Sequence, residues 1–276
     1  RYSATTTALL YLDGVVYLPI CEEMRKRLDA FEVDGIEDGG MIEYLTRKKK
    51  EGRFPVYQTT ERPDRAAQAI LEGRVVLLTD NSPEALIFPA TLNSLFQTAD
   101  DYYRNERIVT FLRLIRYVAA FLALALPGLY VAAATFHPQL LPSNLIRSMA
   151  EARSGVPFPT AAEVLLMELS FELLREAGLR MPGPAGNTIG IVGGLIVGQA
   201  AVSANLVSPI TVTVAALTAL GSFSIPNEEL SEVFRLWKYG ILLLGSCFGI
   251  LGVMLGCFLL LMLMAEQESY GIPWLY

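Results

Sequence analysis

A run of 37 residues without a charged side chain, residues 189–225, constrains the fold of this chain more than any other feature. As one helix it would be roughly 55 Å long, whereas about 30 Å is enough to cross the hydrocarbon core of a membrane. Asn, Ser and Pro interrupt the apolar pattern at residues 205–209. We therefore expect two packed helices that span the membrane at residues 189–205 and 209–225.

Charge is distributed unevenly along the chain, with 34 charged residues in 1–116 and 16 in 117–276. This asymmetry predicts a soluble domain followed by a membrane domain. We place the soluble domain at residues 1–100, a basic helical linker at 101–116 and the membrane domain at 117–276. Apolar runs predict two further spans at residues 117–136 and 239–264. Arginines at the end of the linker indicate that the soluble domain lies on the cytoplasmic side.

The soluble part combines strand and helix patterns, which predicts a mixed domain of the α+β or α/β class. Residues 74–79 and 84–88, joined by Asp-Asn-Ser-Pro, predict a β-hairpin. The sequence has no phosphate-binding loop, nucleophile elbow or zinc-protease motif, and its single histidine, His137, follows no catalytic pattern. Its three cysteines predict neither a disulfide framework nor a metal site. We therefore expect no enzymatic activity, no cofactor and no nucleic-acid partner.

The most informative helix pattern covers residues 160–177, where Thr160 and Glu163 have the spacing of a capping box. Glu168, Glu172, Arg175 and Glu176 lie on one narrow stripe of an otherwise apolar helix. Two interpretations remain open: the helix is embedded among other helices, which would make five spans, or it lies flat on the membrane, which leaves four.

Polar residues in the membrane domain are candidates for an ion path. Glu168 and Glu172 come from the acidic helix, and Gln199 and Asn205 are the polar residues in the uncharged run that are hardest to bury. The alternative for the serines and threonines nearby is interhelical hydrogen bonding.

Glycine, proline and aromatic residues predict how these helices pack. Two sets of glycines recur at helical spacing, which lets helix backbones approach closely. The pair Pro127 and Gly128 would kink the first span, either as a hinge or as a static bend. Trp237 and Tyr239 at one end of the last span, with Tyr270 and Trp274 at the other, are typical of interfacial anchors. The packing glycines are Gly190, Gly194 and Gly198 in the first set, and Gly245, Gly249, Gly252 and Gly256 in the second.

Three long segments resemble a known family. They are GVPFPTAAEVLLMELSFELLREAGLRMP, GIVGGLIVGQAAVSANLVSPITVTVAALTALGSFSIP and QTTERPDRAAQAILEGRVVLLTDNSPEALIFPATLNSLFQTADDYY. These segments closely resemble the A subunit of GerA-type spore germination receptors, and the similarity covers nearly the whole chain. Because the chain begins with Arg and ends in Trp-Leu-Tyr, we expect a fragment that lacks both ends of the family's proteins.

The resemblance implies a protein of the inner spore membrane that acts with a transporter-like B subunit and a lipoprotein C subunit. Such receptors sense nutrients and start germination by releasing cations, and the A subunit is expected to oligomerise into the conducting part. The family also contains a sporulation paralogue tied to dipicolinic acid movement, which this sequence does not separate from a receptor subunit. A secondary transporter and a membrane-anchored scaffold are the other classes considered.

Overall fold

The computed structural model describes residues 5–48, 53–181 and 185–276, and for residues 185–192 it describes the backbone alone. The protein is predominantly helical, with a small antiparallel sheet. It divides into two compact units. Unit 1 contains residues up to 114 together with 226–233 and 261–276, and unit 2 contains 115–225 and 234–260. This division differs from the linear one expected from the sequence, because two later segments join the N-terminal unit.

Unit 1 is built on a sheet of four strands, β1 (Thr7–Leu10), β2 (Gln58–Thr60), β3 (Val75–Thr79) and β4 (Ala85–Phe88). Their order in the sheet is β1-β3-β4-β2, and every neighbouring pair is antiparallel. Of the two mixed classes that the sequence left open, this sheet corresponds to α+β. The predicted hairpin is present as β3 and β4. The helices of this part are α1 (Leu18–Asp29), α2 (Gly39–Thr46), α3 (Pro63–Leu71) and α4 (Leu92–Leu95).

Helices cover both faces of this sheet, and side chains alternate between the two faces along each strand. Val75 and Leu77 of β3 pack on one face against Ile20 of α1 and Ile42 of α2. The alternate residues of β3 and β4, such as Val76 and Ile87, pack on the other face against Ala69 of α3. The central strands are therefore apolar on both sides, which explains why β4 is buried along its whole length.

The last ten residues belong to unit 1. After the final helix the chain forms a small hairpin of β5 (Glu268–Ser269) and β6 (Ile272–Pro273). Trp274 is fully buried, stacks on Phe54 at 4.9 Å between ring centroids, and donates from Nε1 to the carbonyl of Pro55 at 2.8 Å. Tyr270 packs on Phe88 in the core of unit 1. The prediction that Tyr270 and Trp274 are interfacial anchors was therefore wrong, because both rings fill the core of the α+β unit.

The long helices follow in chain order. They are α5 (Glu106–Thr135), α6 (Ser143–Ala152), α7 (Thr160–Leu179), α8 (Ala185–Ser203), α9 (Pro209–Phe223), α10 (Glu228–Phe248) and α11 (Ile250–Glu266). The helix α5 contains residues 106–116 of the predicted linker and residues 117–135 of the first predicted span in one continuous helix, and Pro127 lies inside it. The turn between α8 and α9 occurs at residues 204–208, where the sequence predicted a break. Asn205 in this turn has a φ of 52°, and the Ser208 side chain caps α9.

The run at 239–264, predicted as one span, is divided into two helices at Gly249. Gly249 has a φ of +64°, a left-handed conformation that glycine adopts without steric cost. The two arms pair in antiparallel fashion, since a Cβ on Gly245 would meet Val253 and one on Gly256 would meet Ile241. Any side chain at Gly252 would place its Cβ 2.0 Å from the Leu244 carbonyl oxygen. The glycines at these positions thus line the inside of a helical hairpin, a feature that hydropathy alone does not detect.

Among the described residues, one helix, Glu106–Thr135, is long and apolar enough to cross a membrane. The apolar helices Gly193–Ser203, Pro209–Phe223 and Ile250–Glu266 are shorter. The four-span membrane domain therefore stays a prediction.

Candidate functional site

The acidic helix α7 lies at the centre of unit 2. Its buried Val164 packs with Val131 of α5 and Leu242 of α10, and its buried Met167 packs with Ala201 of α8 and Ala215 of α9. An apolar surface of this width explains why the helix shows only a narrow charged stripe. Leu169 and Leu173 of the same helix are exposed, and the choice between an embedded helix and a helix on the membrane surface stays a prediction.

Two acidic residues of α7 form ion pairs with two basic residues of α10. Glu168 Oε2 accepts from Lys238 Nζ at 2.6 Å, and Glu172 Oε1 accepts from Arg235 Nη1. Because the later carboxylate, Glu172, pairs with the earlier cation, Arg235, the paired segments run antiparallel. We call these two pairs the ion-pair ladder. Its inner pair, Glu168 and Lys238, is 2% and 6% exposed, whereas the Glu172 side chain is 36% exposed.

A third carboxylate of α7, Glu163, is also buried, with an exposure of 0%. Its Oε1 pairs with Arg153, while its Oε2 accepts from the backbone N–H of Ser208 at 2.9 Å and from the Thr211 hydroxyl at 3.0 Å. Ser208 is the N-cap of α9, so the carboxylate lies at a helix N-terminus, where negative charge is stabilised. The predicted capping box was wrong: α7 has Pro159 as its N-cap, and Glu163 points to α9 instead.

The other residues predicted for an ion path lie apart from the ladder. Gln199 is exposed on α8, and Asn205 is exposed in the turn before α9. Within the described residues, no hydrogen bond connects either side chain to Glu168 or Glu172. The role of these residues in an ion path stays a prediction.

The predicted packing glycines lie at helix contacts where their surroundings are described. Gly194 approaches Phe171, and Gly198 approaches Val212. Gly128 faces Ile241 and Val253, so the pair Pro127 and Gly128 lies at a close helix contact, while a hinge there stays a prediction. Gly190 is in α8, but its contacts lie outside the described residues.

Sequence reasoning missed the partners of the carboxylates, which are Arg153, Arg235 and Lys238. The three-residue spacing of Arg235 and Lys238 matches the spacing of Glu168 and Glu172 on a helix surface, and this complementarity was a usable signal. Glu163 was assigned to local capping because its spacing from Thr160 fits that motif, and only the fold reveals its contact with α9.

Unit 1 contains a separate charged pocket of about 630 Å³. Arg27 and Lys48 both bind Glu23 there, at 2.9 Å and 2.5 Å, and these bonds lower the pKa of Glu23 to about 2. Arg53 pairs with Glu266 at 3.0 Å. The charges that line the pocket are thus compensated by one another. Among the described residues, no group of three His, Cys, Asp or Glu side chains is placed to hold a metal ion.

The fold and this site define a class of protein in which a small α+β domain is joined to a helical unit with paired internal charges and a helix able to cross a membrane. The sequence matches the family of Bacillus/Clostridium GerA spore germination proteins over residues 1–276, and the chain belongs to this family.

Relatives agree with this assignment. The chain is 39% identical over 97% of its length to Spore germination protein A1 of Bacillus subtilis (strain 168), and 39% identical over 99% to Spore germination protein GerLA of Bacillus cereus. It is 41% identical over 98% of its length to a protein of Bacillus subtilis (strain 168) named Uncharacterized membrane protein YfkQ. These matches cover 55%, 56% and 53% of the respective relatives, so the chain spans about half their length. No solved structure matches.

Proposed function

We propose that this chain is part of a germinant receptor subunit that triggers spore germination, and that copies of it form the cation-conducting part of a nutrient-gated channel. Membership of the GerA family supports the receptor role. The channel role rests on one structural observation, the placement of Glu168 and Glu172 inside a largely apolar helical unit. Ionisable residues inside a membrane domain are costly and mark ion pathways or structural pairs.

In an oligomer, each copy would contribute Glu168 and Glu172 to a ring of negative charge. Such a ring attracts cations and repels anions, which accounts for cation selectivity. Gln199 and Asn205 would supply neutral oxygen ligands further along the path. In this proposal the α5, α8 and α9 helices and the hairpin of α10 and α11 contact membrane lipid.

The proposed partners are a transporter-like B subunit and a lipoprotein C subunit, and the proposed location is the inner spore membrane. The α+β unit would face the spore core, since the arginines that precede the apolar part of α5 favour the inner side. Recognition of the nutrient is assigned to the B subunit.

The first test is potassium release from spores that lack this gene, after a mixed amino-acid and sugar stimulus, compared with the parent strain. We expect release to be lost and to return with the intact gene. Spores with Glu168→Gln and Glu172→Gln together should germinate poorly and release less potassium. Unchanged release in this double variant would refute the acidic ring.

A role as a sporulation paralogue linked to dipicolinic acid is the second candidate. It follows from the family resemblance, since the family also contains a sporulation paralogue of that kind. Spores without the gene would then contain less dipicolinic acid before any nutrient is added, whereas loss of a receptor subunit leaves that content unchanged. Measuring dipicolinic acid in dormant spores of both strains separates the two functions.

A further inference from the structure

The inner pair of the ion-pair ladder leaves one carboxylate oxygen unused. Glu168 Oε2 accepts from Lys238 Nζ at 2.6 Å, whereas Glu168 Oε1 is buried and has no hydrogen-bond partner. An ionised carboxylate offers about four acceptor positions, and a buried polar atom without a partner costs free energy. The pair is therefore charge-compensated, but its hydrogen bonding is incomplete.

Two side chains with hydroxyl groups lie near this ion pair. The Tyr239 hydroxyl is buried and likewise lacks a hydrogen-bond partner, and the Lys238 ammonium lies 5.0 Å from the centre of the Tyr239 ring. Thr218, which is fully buried and donates to the Val214 carbonyl at 2.9 Å, faces Glu168 from α9. Carboxylate and hydroxyl oxygens are ligands that suit a partly dehydrated alkali cation.

We propose that the Lys238 ammonium is a tethered counter-cation of Glu168, and that a monovalent alkali cation of the potassium class replaces it there during conduction. This inference rests on the proposed channel function. An ammonium group and a potassium ion carry the same charge and use the same oxygen ligands, so the replacement keeps the buried carboxylate neutralised. The displaced Lys238 ammonium, on its flexible stem, moves toward the more exposed Glu172.

The need to keep Glu168 neutralised would couple opening of the channel to the arrival of a cation at Glu168. Removing one partner of a buried ion pair leaves an unpaired charge and is strongly destabilising. Lys238 therefore leaves Glu168 readily only when another cation arrives. In the resting state the free-energy cost of separating Glu168 from Lys238 keeps α7 and α10 together. Lys238 then occupies the position at Glu168 that another cation would need.

The two basic residues differ in a way that fits this exchange. Lysine carries a compact charge on a flexible stem, whereas arginine has a rigid planar fork. The flexible cation, Lys238, lies at the buried carboxylate, and Arg235 pairs with the more exposed Glu172. Glu172 would thus receive an incoming hydrated cation before it reaches Glu168.

The test uses the full-length Lys238→Met variant, which keeps the apolar stem of the side chain and removes its charge. We expect potassium to raise the melting temperature of the purified variant relative to choline, because potassium can occupy the vacated position. The parent protein, whose site is filled by Lys238, should show no such difference. Arg180→Met is the matched control, since Arg180 pairs with Glu176 on the same helix but at the surface, 80% exposed.

The double variant Glu168→Gln and Lys238→Met removes both charges and should fold without potassium dependence. In receptor-containing vesicles, Lys238→Met should raise cation flux without nutrient by about tenfold, the scale of a coupling free energy of 1–3 kcal/mol. Lys238→Arg should lower nutrient-triggered flux, because the fork holds the carboxylate more firmly.

The outcomes separate this inference from the channel function. Potassium stabilisation of Lys238→Met without flux in any variant would support the cation site and refute the channel. Flux in the parent protein, with neither stabilisation nor leak in Lys238→Met, would refute the exchange and leave the channel intact. If Lys238→Met does not fold, the double variant and Lys238→Arg decide: normal triggered flux in both would overturn the proposal.

Discussion

The indole of Trp274 donates to the Pro55 carbonyl at 2.8 Å, although 219 residues separate them in the chain. The neighbouring Ser269 hydroxyl donates to the Val56 carbonyl at 2.6 Å, and the backbone N–H of Leu92 donates to the Trp274 carbonyl at 2.8 Å. The α+β unit is therefore completed by the segment that follows the last long helix, so the two regions must lie on the same side of any membrane.

The burial of Trp274 predicts that this residue stabilises unit 1. Trp274→Ala should lower the free energy of unfolding by about 3–5 kcal/mol, since it leaves a cavity and an unsatisfied Pro55 carbonyl. Thermal unfolding of the purified protein, followed by circular dichroism, measures this change. Trp237→Phe is the control in unit 2 and should have a smaller effect. A similar melting temperature for Trp274→Ala and the parent would show that the C-terminal segment does not support the unit.

The placement of both regions in unit 1 predicts their membrane sidedness. Single cysteines at Tyr44 and Tyr276, which are 80% and 85% exposed, should react equally with a membrane-impermeant thiol reagent in sealed vesicles. Cys247 and Cys257 are replaced by serine in the background protein, while Cys21 is buried and stays. Labelling of one site only before the vesicles are opened would contradict the fold of unit 1.

The partly buried Glu43 predicts a pH dependence of stability. Burial, together with the nearby Glu229 carboxylate, raises the pKa of Glu43 from 4.5 to about 7, and these effects outweigh the pairing of Glu43 with Arg47. The folded state thus binds this proton more tightly than the unfolded state. The stabilisation is complete below pH 4.5 and is lost as the pH rises through about 7.

Glu43→Gln should remove this contribution. We expect its melting temperature to fall less than that of the parent as the pH rises from about 5 to 7.5. This range begins just above the pKa of Glu43 in the unfolded chain and ends just above its pKa in the folded protein. Trp274 fluorescence in a Trp237→Phe background reports on unit 1, since the chain has only these two tryptophans. Parallel curves for Glu43→Gln and its parent would show that Glu43 is already ionised in the folded protein at pH 5.

The contacts of Glu163 predict that it holds α7, α9 and Arg153 together. Glu163→Ala should destabilise the protein by about 3–5 kcal/mol, because it leaves the Arg153 charge unpaired and the N-terminus of α9 without an acceptor. Glu163→Gln, which keeps an acceptor oxygen, should cost less. Glu151→Gln is the control, since its pair with Arg147 is exposed. Equal melting temperatures for Glu163→Ala and Glu151→Gln would rule out this role.

The turn at Gly249 predicts a specific sensitivity to substitution. Gly249→Ala should destabilise the hairpin of α10 and α11 by about 1–2 kcal/mol, because a Cβ is disfavoured at positive φ. In addition, the added carbon would lie 3.0 Å from His137 Nε2. Gly240→Ala is the matched control, since its Cβ would meet nothing within 4 Å and alanine favours the helix. A cost at Gly240 equal to that at Gly249 would argue against the turn.

Local patterns predicted much of this protein. The β3 and β4 hairpin, the acidic helix and the break between α8 and α9 all follow from residue periodicity and from turn residues. These features depend on interactions within about ten residues, which a sequence displays directly. The resemblance to the GerA family also came from the sequence alone, through long segments that include Thr160 to Pro182.

Long-range contacts account for the errors and omissions. Hydropathy treats 239–264 as one span because Gly249 has the same transfer free energy whether its φ is negative or positive. Tryptophan is a residue type typical of membrane anchors, and only the packing of Trp274 against Phe54 shows that it belongs to the core of unit 1. The sequence by itself determined the family, the acidic stripe and the separation of charged from apolar regions. The tertiary structure decided which cation neutralises each carboxylate, because the ion pairs of Glu168 with Lys238 and of Glu163 with Arg153 depend on which helix surfaces meet.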